Sequence, residues 1–313
     1  ASTIIGNSLH NWGKDSFAND KQLFFYSSCS NLVSGDTNGV ADIFVYNIDT
    51  QTIELVTRNP ATGQSFAGQS VNPRVSKDGN IIAFASTAPG IAGTACASPF
   101  NEANRYHVYV LNRKTNAYTR LNEGVCHAGS TNITQLAYDV SDDGNKVHFL
   151  GKTQSNGGAL VSYNVNTAGL TTIPLEYSLS SPVETNKDGS IILFRSQGYY
   201  DDSGVYHATD ANGNFPNAYG LYNVNTATHT LVTTNKTTGA LWSGFPHWQA
   251  TLSPSGHVVT FGQSGTAIQQ LVNTTMSGGE ASVYYYIQQP FAKNSKWMNH
   301  GIASITFNCS NKC

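Results

Sequence analysis

Residues 71–86 read Val71-Asn72-Pro73-Arg74-Val75-Ser76-Lys77-Asp78-Gly79-Asn80-Ile81-Ile82-Ala83-Phe84-Ala85-Ser86. Two β-rich runs flank an Asp-Gly turn, a strong local signal for a β-hairpin. The reading predicts strand a over Val71–Ser76 and strand b over Ile81–Ser86. The phrase returns at Asn19-Asp20-Lys21, Asp142-Asp143-Gly144, Lys187-Asp188-Gly189 and Pro254-Ser255-Gly256. About six residues after each turn stands an aromatic: Phe25, Phe84, Phe149, Phe194 and Phe261.

Each hairpin is followed by a loop and a second pair of runs. The predicted c strands are Asp42–Asn47, His107–Asn112, Leu160–Asn164, Tyr219–Asn223 and Ser282–Ile287. Four of them enter a turn ending in Thr50, Thr115, Thr167 or Thr226, and d strands follow at Ile53–Thr57, Tyr118–Leu121, Leu170–Leu175 and His229–Thr233. A four-strand unit recurring every 45–67 residues is the signature of an all-β propeller, one blade per repeat. Five repeats predict five blades, with a sixth left open if the terminal strands begin an extra sheet. Repeat 5 lacks a short c–d turn, so its d strand is drawn from Ile302–Phe307 or Thr3–Ile5. Terminal strands are thereby expected to close the ring. No helix of normal length and no linker is evident, so residues 1–313 are read as one propeller domain.

Charged residues make up only 12% of the chain and the net charge is −2, without a Lys/Arg run. That balance argues against a nucleic-acid partner or an acidic membrane surface. No apolar stretch approaches the length of a membrane-spanning helix. The chain opens at Ala1-Ser2-Thr3 without an initiator Met, which suits a mature exported form. Secretion or a periplasmic location is the expectation. Of the five cysteines, Cys96 and Cys126 flank one blade and are the expected disulfide. Cys309 and Cys313 could pair locally, or one of them could reach Cys29.

Ser76–Phe84 and its counterpart Asn186-Lys187-Asp188-Gly189-Ser190-Ile191-Ile192-Leu193-Phe194 resemble the first hairpin of TolB-type (WD40-like) propeller repeats. Asn31-Leu32-Val33-Ser34-Gly35-Asp36-Thr37-Asn38-Gly39 followed by Asp42-Ile43-Phe44-Val45-Tyr46-Asn47 resembles the loop and third strand of the same repeat. The resemblance runs over residues 16–290. It implies repeat type, and it leaves function open among periplasmic protein-binding, peptidase-associated and carbohydrate-active proteins.

Loop lengths sort the two faces of such a fold. The a–b and c–d turns are short, whereas the b–c loops Cys29–Ala41, Thr87–Tyr106, Gly198–Ala218 and Gln263–Glu280 are long. Binding concentrates on long loops carried by a rigid scaffold. Candidate binding residues on that face are Tyr199, Tyr200, Asp201, Asp202, Trp242, His247 and Trp248, with His207 and Asp210 nearby. Aromatic rings stack on sugar CH faces while carboxylates bond to hydroxyls; aromatics wedged between blades are the competing account. The expected activity is therefore an exported module that binds a glycan or a protein.

The alternative is a carbohydrate-active enzyme, a glycoside hydrolase or lyase, working in the central channel. Four residues before each turn Asp equivalent stand Arg74, Asp139, Glu184 and Thr251, with Asp15 or Ser16 in repeat 1. By likeness to five-bladed glycosidases, Asp15, Asp139 and Glu184 would act as acid, as base or nucleophile, and as tuner of the acid's pKa, with Arg74 holding a substrate carboxylate. A charge-balanced ring that holds the blades together is the structural alternative. No firm metal or cofactor is expected. Asp36-x-Asn38-Gly39-x-x-Asp42 resembles part of a calcium loop, but the twelfth position is Asn47 rather than a bidentate Glu, so it is not an EF-hand. Asx-turns leading into strand c explain the same residues. None of the nine histidines is paired at metal-ligand spacing.

Overall fold

The computed structural model describes residues 16–92, 105–121, 137–152, 158–173, 175, 177–200, 206–207, 218–232, 250–264, 281–287 and 302–306. They form five antiparallel sheets, each threaded in sequence order. The first holds β1 (Phe17–Ala18), β2 (Gln22–Ser27), β3 (Asp42–Asn47) and β4 (Thr52–Leu55). The second holds β5 (Ser70–Val75), β6 (Ile81–Ser86), β7 (His107–Asn112) and β8 (Ala117–Arg120). The third is β9 (Tyr138–Val140), β10 (Lys146–Lys152), β11 (Gly158–Asn164) and β12 (Gly169–Ile173). The fourth is β13 (Tyr177–Thr185), β14 (Ile191–Tyr200), β16 (Ala218–Asn223) and β17 (Thr228–Leu231), with a short fifth strand, β15 (Tyr206–His207), on β14. The last is β18 (Thr251–Leu252), β19 (Val258–Ser264), β20 (Ala281–Ile287) and β21 (Ile302–Thr306).

Four sequential antiparallel strands per sheet are propeller blades, and the described residues contain five of them. Strand β21 pairs with β20 through Ser282↔Thr306 to Tyr286↔Ile302, so the C-terminal candidate supplies the outer strand of blade 5. Thr3–Ile5 lies outside the described residues. The chain divides into two compact units, Ala1–Asn156 with Val161–Thr172, and Gly157–Leu160 with Ile173–Cys313.

The recurrent turns form for a local reason. In blade 2 the Ser76 hydroxyl donates to Asp78 at 2.6 Å, and the Asn80 N–H donates to the same Asp78 oxygen at 3.0 Å. Gly79 takes a φ of +74°, which only a residue without Cβ adopts cheaply. Blade 3 repeats the pattern with Ser141, Asp143 and Asn145. In blade 5 Ser255 replaces the Asp and accepts the His257 N–H at a longer 3.4 Å. The Asn that ends strand c caps the next turn: Asn47 accepts from Asp49 and Thr50, Asn164 from Asn166 and Thr167, and Asn223 from Asn225 and Thr226.

The core of the first unit lies between blades. One cluster joins Phe24, Ile43, Val45, Val56 and Phe66 of blade 1 and its outgoing loop to Ile82, Phe84, Tyr109 and Leu111 of blade 2. A second joins Ile81, Ala83, Val108 and Val110 to Tyr138, Val140, Val147 and Phe149 of blade 3. Period-2 alternation gives blade 2 two apolar faces, and the two clusters use both. Backbone bonds tie neighbouring turns together: Asn19 N–H to Lys77 C=O, Lys77 N–H to Asp142 C=O and, within the second unit, Lys187 N–H to Pro254 C=O, at 2.8–2.9 Å. Tyr118 reaches from blade 2 to the Val56 and Arg58 carbonyls of blade 1. Burial pushes its phenol up to about 12, so it stays a donor at any working pH.

Candidate functional site

Strand a of each blade presents the row singled out in the sequence, and register now fixes its members. Arg74 pairs with Ala83, Asp139 with His148, Glu184 with Leu193 and Thr251 with Thr260. In blade 1 Phe17 pairs with Leu23, in the row where Val75 pairs with Ile82, so Ser16 and not Asp15 occupies the Arg74 row. The turn of blade 1 is one residue shorter than the others, which is why spacing alone left both open. Asp15 lies outside the described residues. Asp139 belongs to the first unit and Glu184 to the second.

β-Bulges stand immediately before two row members. Register shifts between Val71 and Arg74, where Asn72 adopts a φ of +54°, and between Ser180 and Val183. Such bulges re-aim the following side chain. The turned-out Asn72 carbonyl accepts the Tyr138 hydroxyl at 2.7 Å, locking blade 2 to blade 3. Glu184 is likewise committed to holding blades. One of its oxygens accepts both the Thr251 hydroxyl at 2.9 Å and the Leu252 N–H at 2.8 Å. Asp139, 1% exposed, accepts the Val140 N–H at 2.9 Å. A Glu184→Gln variant keeps an oxygen acceptor and is expected to retain stability, whereas Glu184→Ala should lose about 1–2 kcal/mol by stranding the Leu252 N–H. Denaturant unfolding of both variants checks this; equal losses would show that the acceptor is not what matters.

Of the candidate binding residues, Tyr199 and Tyr200 fall on blade 4. The sequence reading began a loop at Gly198, but β14 continues through Tyr200 and is ten residues long, against six for β2 and β6. Its extension pairs on one side with β13, through Tyr177↔Tyr199, and on the other with β15, through Tyr199↔His207 and Tyr200↔Tyr206. Tyr177, Tyr199 and His207 therefore share one register row across three strands. Glycine misled the reading here: Gly198 breaks an isolated strand, but this one has partners on both sides. Asp201, Asp202, Asp210, Trp242, His247 and Trp248 lie outside the described residues.

The third candidate group comes together in the loop between β2 and β3. Asn38 donates through its amide nitrogen to Asp42 at 2.6 Å and to the Phe66 carbonyl at 2.7 Å, while its own amide oxygen accepts the Val40 N–H at 2.8 Å. The last bond is the expected Asx-turn. Thr57 donates to the other Asp42 oxygen at 2.9 Å and accepts the Ile43 N–H at 3.0 Å. Burial pushes the Asp42 carboxyl up to about 7; the Thr57 and Asn38 bonds oppose that shift and the nearby Asp36 charge adds to it. Burial also raises Asp36, with the Asn38 N–H near enough to offset only part of the cost. Thr57 and Phe66 were missed in the sequence. They lie 15 and 28 residues beyond their partners, and no local motif links them.

Cys29 is a free, partly buried thiol, so its pairing with a terminal cysteine is not made. Cys96, Cys126, Cys309 and Cys313 lie outside the described residues. A cleft of about 140 Å³ opens beside β4 and β7, lined by Glu54, Arg58, Arg113 and Tyr118 among others. Glu54 already pairs with Arg58 at 3.2 Å and Arg113 at 3.4 Å, so the cleft offers no free charge. Among the described residues no helix is long and apolar enough to cross a membrane.

Neither a family model nor a curated protein matches the sequence. Solved structures do match in fold. A TolB-type protein of Agrobacterium tumefaciens is similar at 15% identity and a TM-score of 0.49, over 93% of this chain and 78% of that one. TolB of Acinetobacter baumannii is similar at 14% identity and a TM-score of 0.44, over 79% of this chain; the match spans 46% of the Acinetobacter protein. The β-propeller domain of the Trilobed protease from Pyrococcus furiosus follows at 11% identity and 0.42, over 76% of this chain and 57% of that one. The β-propeller fold itself rests on the five sheets of sequential antiparallel strands among the described residues.

Proposed function

We propose that the chain is an exported binding module that grips a glycan or a protein segment through the decorated face of blade 4. The observation that carries this is the overlong β14. It departs from the six-residue b strands of blades 1 and 2 and places Tyr177, Tyr199, His207, Tyr200 and Tyr206 in two adjacent register rows. Extra strand length contributes nothing to the repeat, so it calls for another role. Aromatic residues held on a paired ribbon give stacking area at low entropic cost, which suits sugar rings and extended peptides alike. Asp201 and Asp202 follow directly in the sequence and would supply hydrogen-bond acceptors; Trp242, His247 and Trp248 are the further candidates the sequence offers. Export rests on composition, a surface solubilised by hydroxyls and amides rather than charge.

The test is binding of the full chain to an immobilised glycan panel and to cell-envelope protein fractions. Tyr199→Ala, Tyr200→Ala and Trp242→Ala are each expected to weaken binding by about 10–100-fold with unchanged unfolding midpoints. Unaltered affinity in all three would remove this surface from consideration. Release of a soluble product from any glycan, abolished by Asp139→Asn, would assign the function to the strand-a row instead.

A further inference from the structure

Two tyrosines of the first unit stand where the neighbouring blade has alanine. Tyr26 follows the signature Phe25 of blade 1, a position that blade 2 fills with Ala85 after Phe84. Tyr106 stands three residues before Tyr109 of blade 2, where blade 1 has Ala41 before Phe44. The strand ends bring both to the face of the long b–c loops. Tyr26 is the last residue but one of β2, Tyr106 immediately precedes β7, and Gln69 immediately precedes β5. The Ser70 N–H donates to the Ala41 carbonyl at 2.7 Å, joining the start of β5 to the edge of blade 1 that holds Tyr26. Both rings are half-buried and pack against the cluster shared by blades 2 and 3. Burial raises both phenols, and Tyr106 adds to the rise at Tyr26, as a near neighbour does.

The amide beside them is held in place. The Gln69 carbonyl accepts the Thr87 N–H at 2.9 Å and the Ser86 hydroxyl at 2.7 Å, and the Gln69 N–H donates to the Thr87 hydroxyl at 3.0 Å. The Tyr106 hydroxyl donates to the Gln69 side-chain oxygen at 2.8 Å, which fixes the exposed amide and leaves its nitrogen with two donors. Among the described residues neither that nitrogen nor the Tyr26 hydroxyl has a hydrogen-bond partner. A half-buried phenol normally finds one. We propose that Tyr26, Tyr106 and Gln69 form a saccharide site on the b–c face of the first unit, built without any residue of the blade 4 surface and taking a pyranose ring of a neutral glycan. Tyrosine rings offer a stacking face for sugar CH groups at the cost of only two side-chain torsions. The Gln69 nitrogen donates to a ring or hydroxyl oxygen, and the Tyr26 hydroxyl either donates or accepts. None of the three groups is charged, so they select a neutral sugar.

Saturation-transfer NMR of the full chain with malto-, cello- and manno-oligosaccharides tests this. At least one series is expected to bind. Tyr26→Ala and Tyr106→Ala should each weaken that binding by about tenfold or more, as loss of a buried aromatic contact does. Gln69→Ala should weaken it by about 3–10-fold, the worth of one neutral hydrogen bond. Tyr106→Phe keeps the ring but frees the Gln69 amide, and its loss should be smaller than that of Tyr106→Ala. No transfer to any of the three series overturns the site. Should the alanine variants of the tyrosines fail to fold, unchanged affinity in Gln69→Ala overturns it equally, because that side chain lies at the surface. Weakening by Tyr199→Ala with none by Gln69→Ala would place the glycan on blade 4 and overturn this site. The reverse result would uphold this site and remove the blade 4 surface.

Discussion

Phe84→Ala is expected to lower the unfolding free energy by about 3–5 kcal/mol, the range for deleting a fully buried aromatic ring. Phe84 is completely buried, stacks on Tyr109 with ring centroids 5.7 Å apart and meets Tyr118 edge-on at 6.3 Å. The ring is also the meeting point of two blades, because the same cluster holds Phe24, Val56 and Phe66 of blade 1 and its outgoing loop. The cavity therefore opens at an interface rather than within one sheet, where neither blade can close over it alone. Phe66 carries the carbonyl that Asn38 grips, so the loss should extend to the loop between β2 and β3. Phe25 is the control. It holds the same repeat position but is only half-buried, stacked on Phe44 at 5.7 Å. Phe25→Ala should cost roughly half as much or less, by the smaller area it removes from the core. Equal denaturant midpoints for the two variants would contradict the interblade account.

That contrast marks what could be read from the sequence. The repeat named the right position in every blade, and the predicted strands Asp42–Asn47, Ile81–Ser86 and His107–Asn112 are the observed ones. These strands are short, β-branched or aromatic, and bounded by Asx caps, so local chemistry decides their ends. Predicted d strands stand one residue or two too late, as with Ile53–Thr57 against Thr52–Leu55, because outer strands are half-exposed and alternate weakly. Position in a repeat does not report burial, however. Phe25 and Phe84 differ because burial depends on which blade lies against them. The same gap separates Asp36 as a motif letter from Asp36 as a buried, unpartnered carboxylate. The residues that follow it, Thr37, Asn38 and Asp42, are held by Ser65, Phe66 and Thr57, a segment that returns only after two further strands. The partners of Glu184 are equally remote: Thr251 and Leu252 stand 67 and 68 residues on, beyond the reach of any local pattern.

Gly220→Val is expected to cost about 3 kcal/mol or more, at the upper end for overpacking a filled interior. Gly220 pairs directly with Phe194 across β14 and β16. Where blades 1, 2 and 5 set a second aromatic opposite their signature Phe, as Phe44, Tyr109 and Tyr284, blade 4 has this glycine. The Phe194 ring lies over the space a side chain would fill: a Cβ on Gly220 would stand 2.8 and 2.9 Å from two of its ring carbons. Phe194 is completely buried and cannot swing aside into solvent. The strand must move instead, and the strand is β14, the one that runs on into Tyr199 and Tyr200. Gly220→Val should therefore weaken ligand binding together with the stability of its blade, whereas Tyr199→Ala should weaken binding alone. A double variant, Gly220→Ala with Phe194→Leu, isolates the cause by shrinking the ring that the new methyl strikes. Its cost should fall below the sum of the single costs by about 1–2 kcal/mol, the size expected for residues in direct contact. Strict additivity would mean that the glycine is kept for its backbone freedom and not for the ring above it.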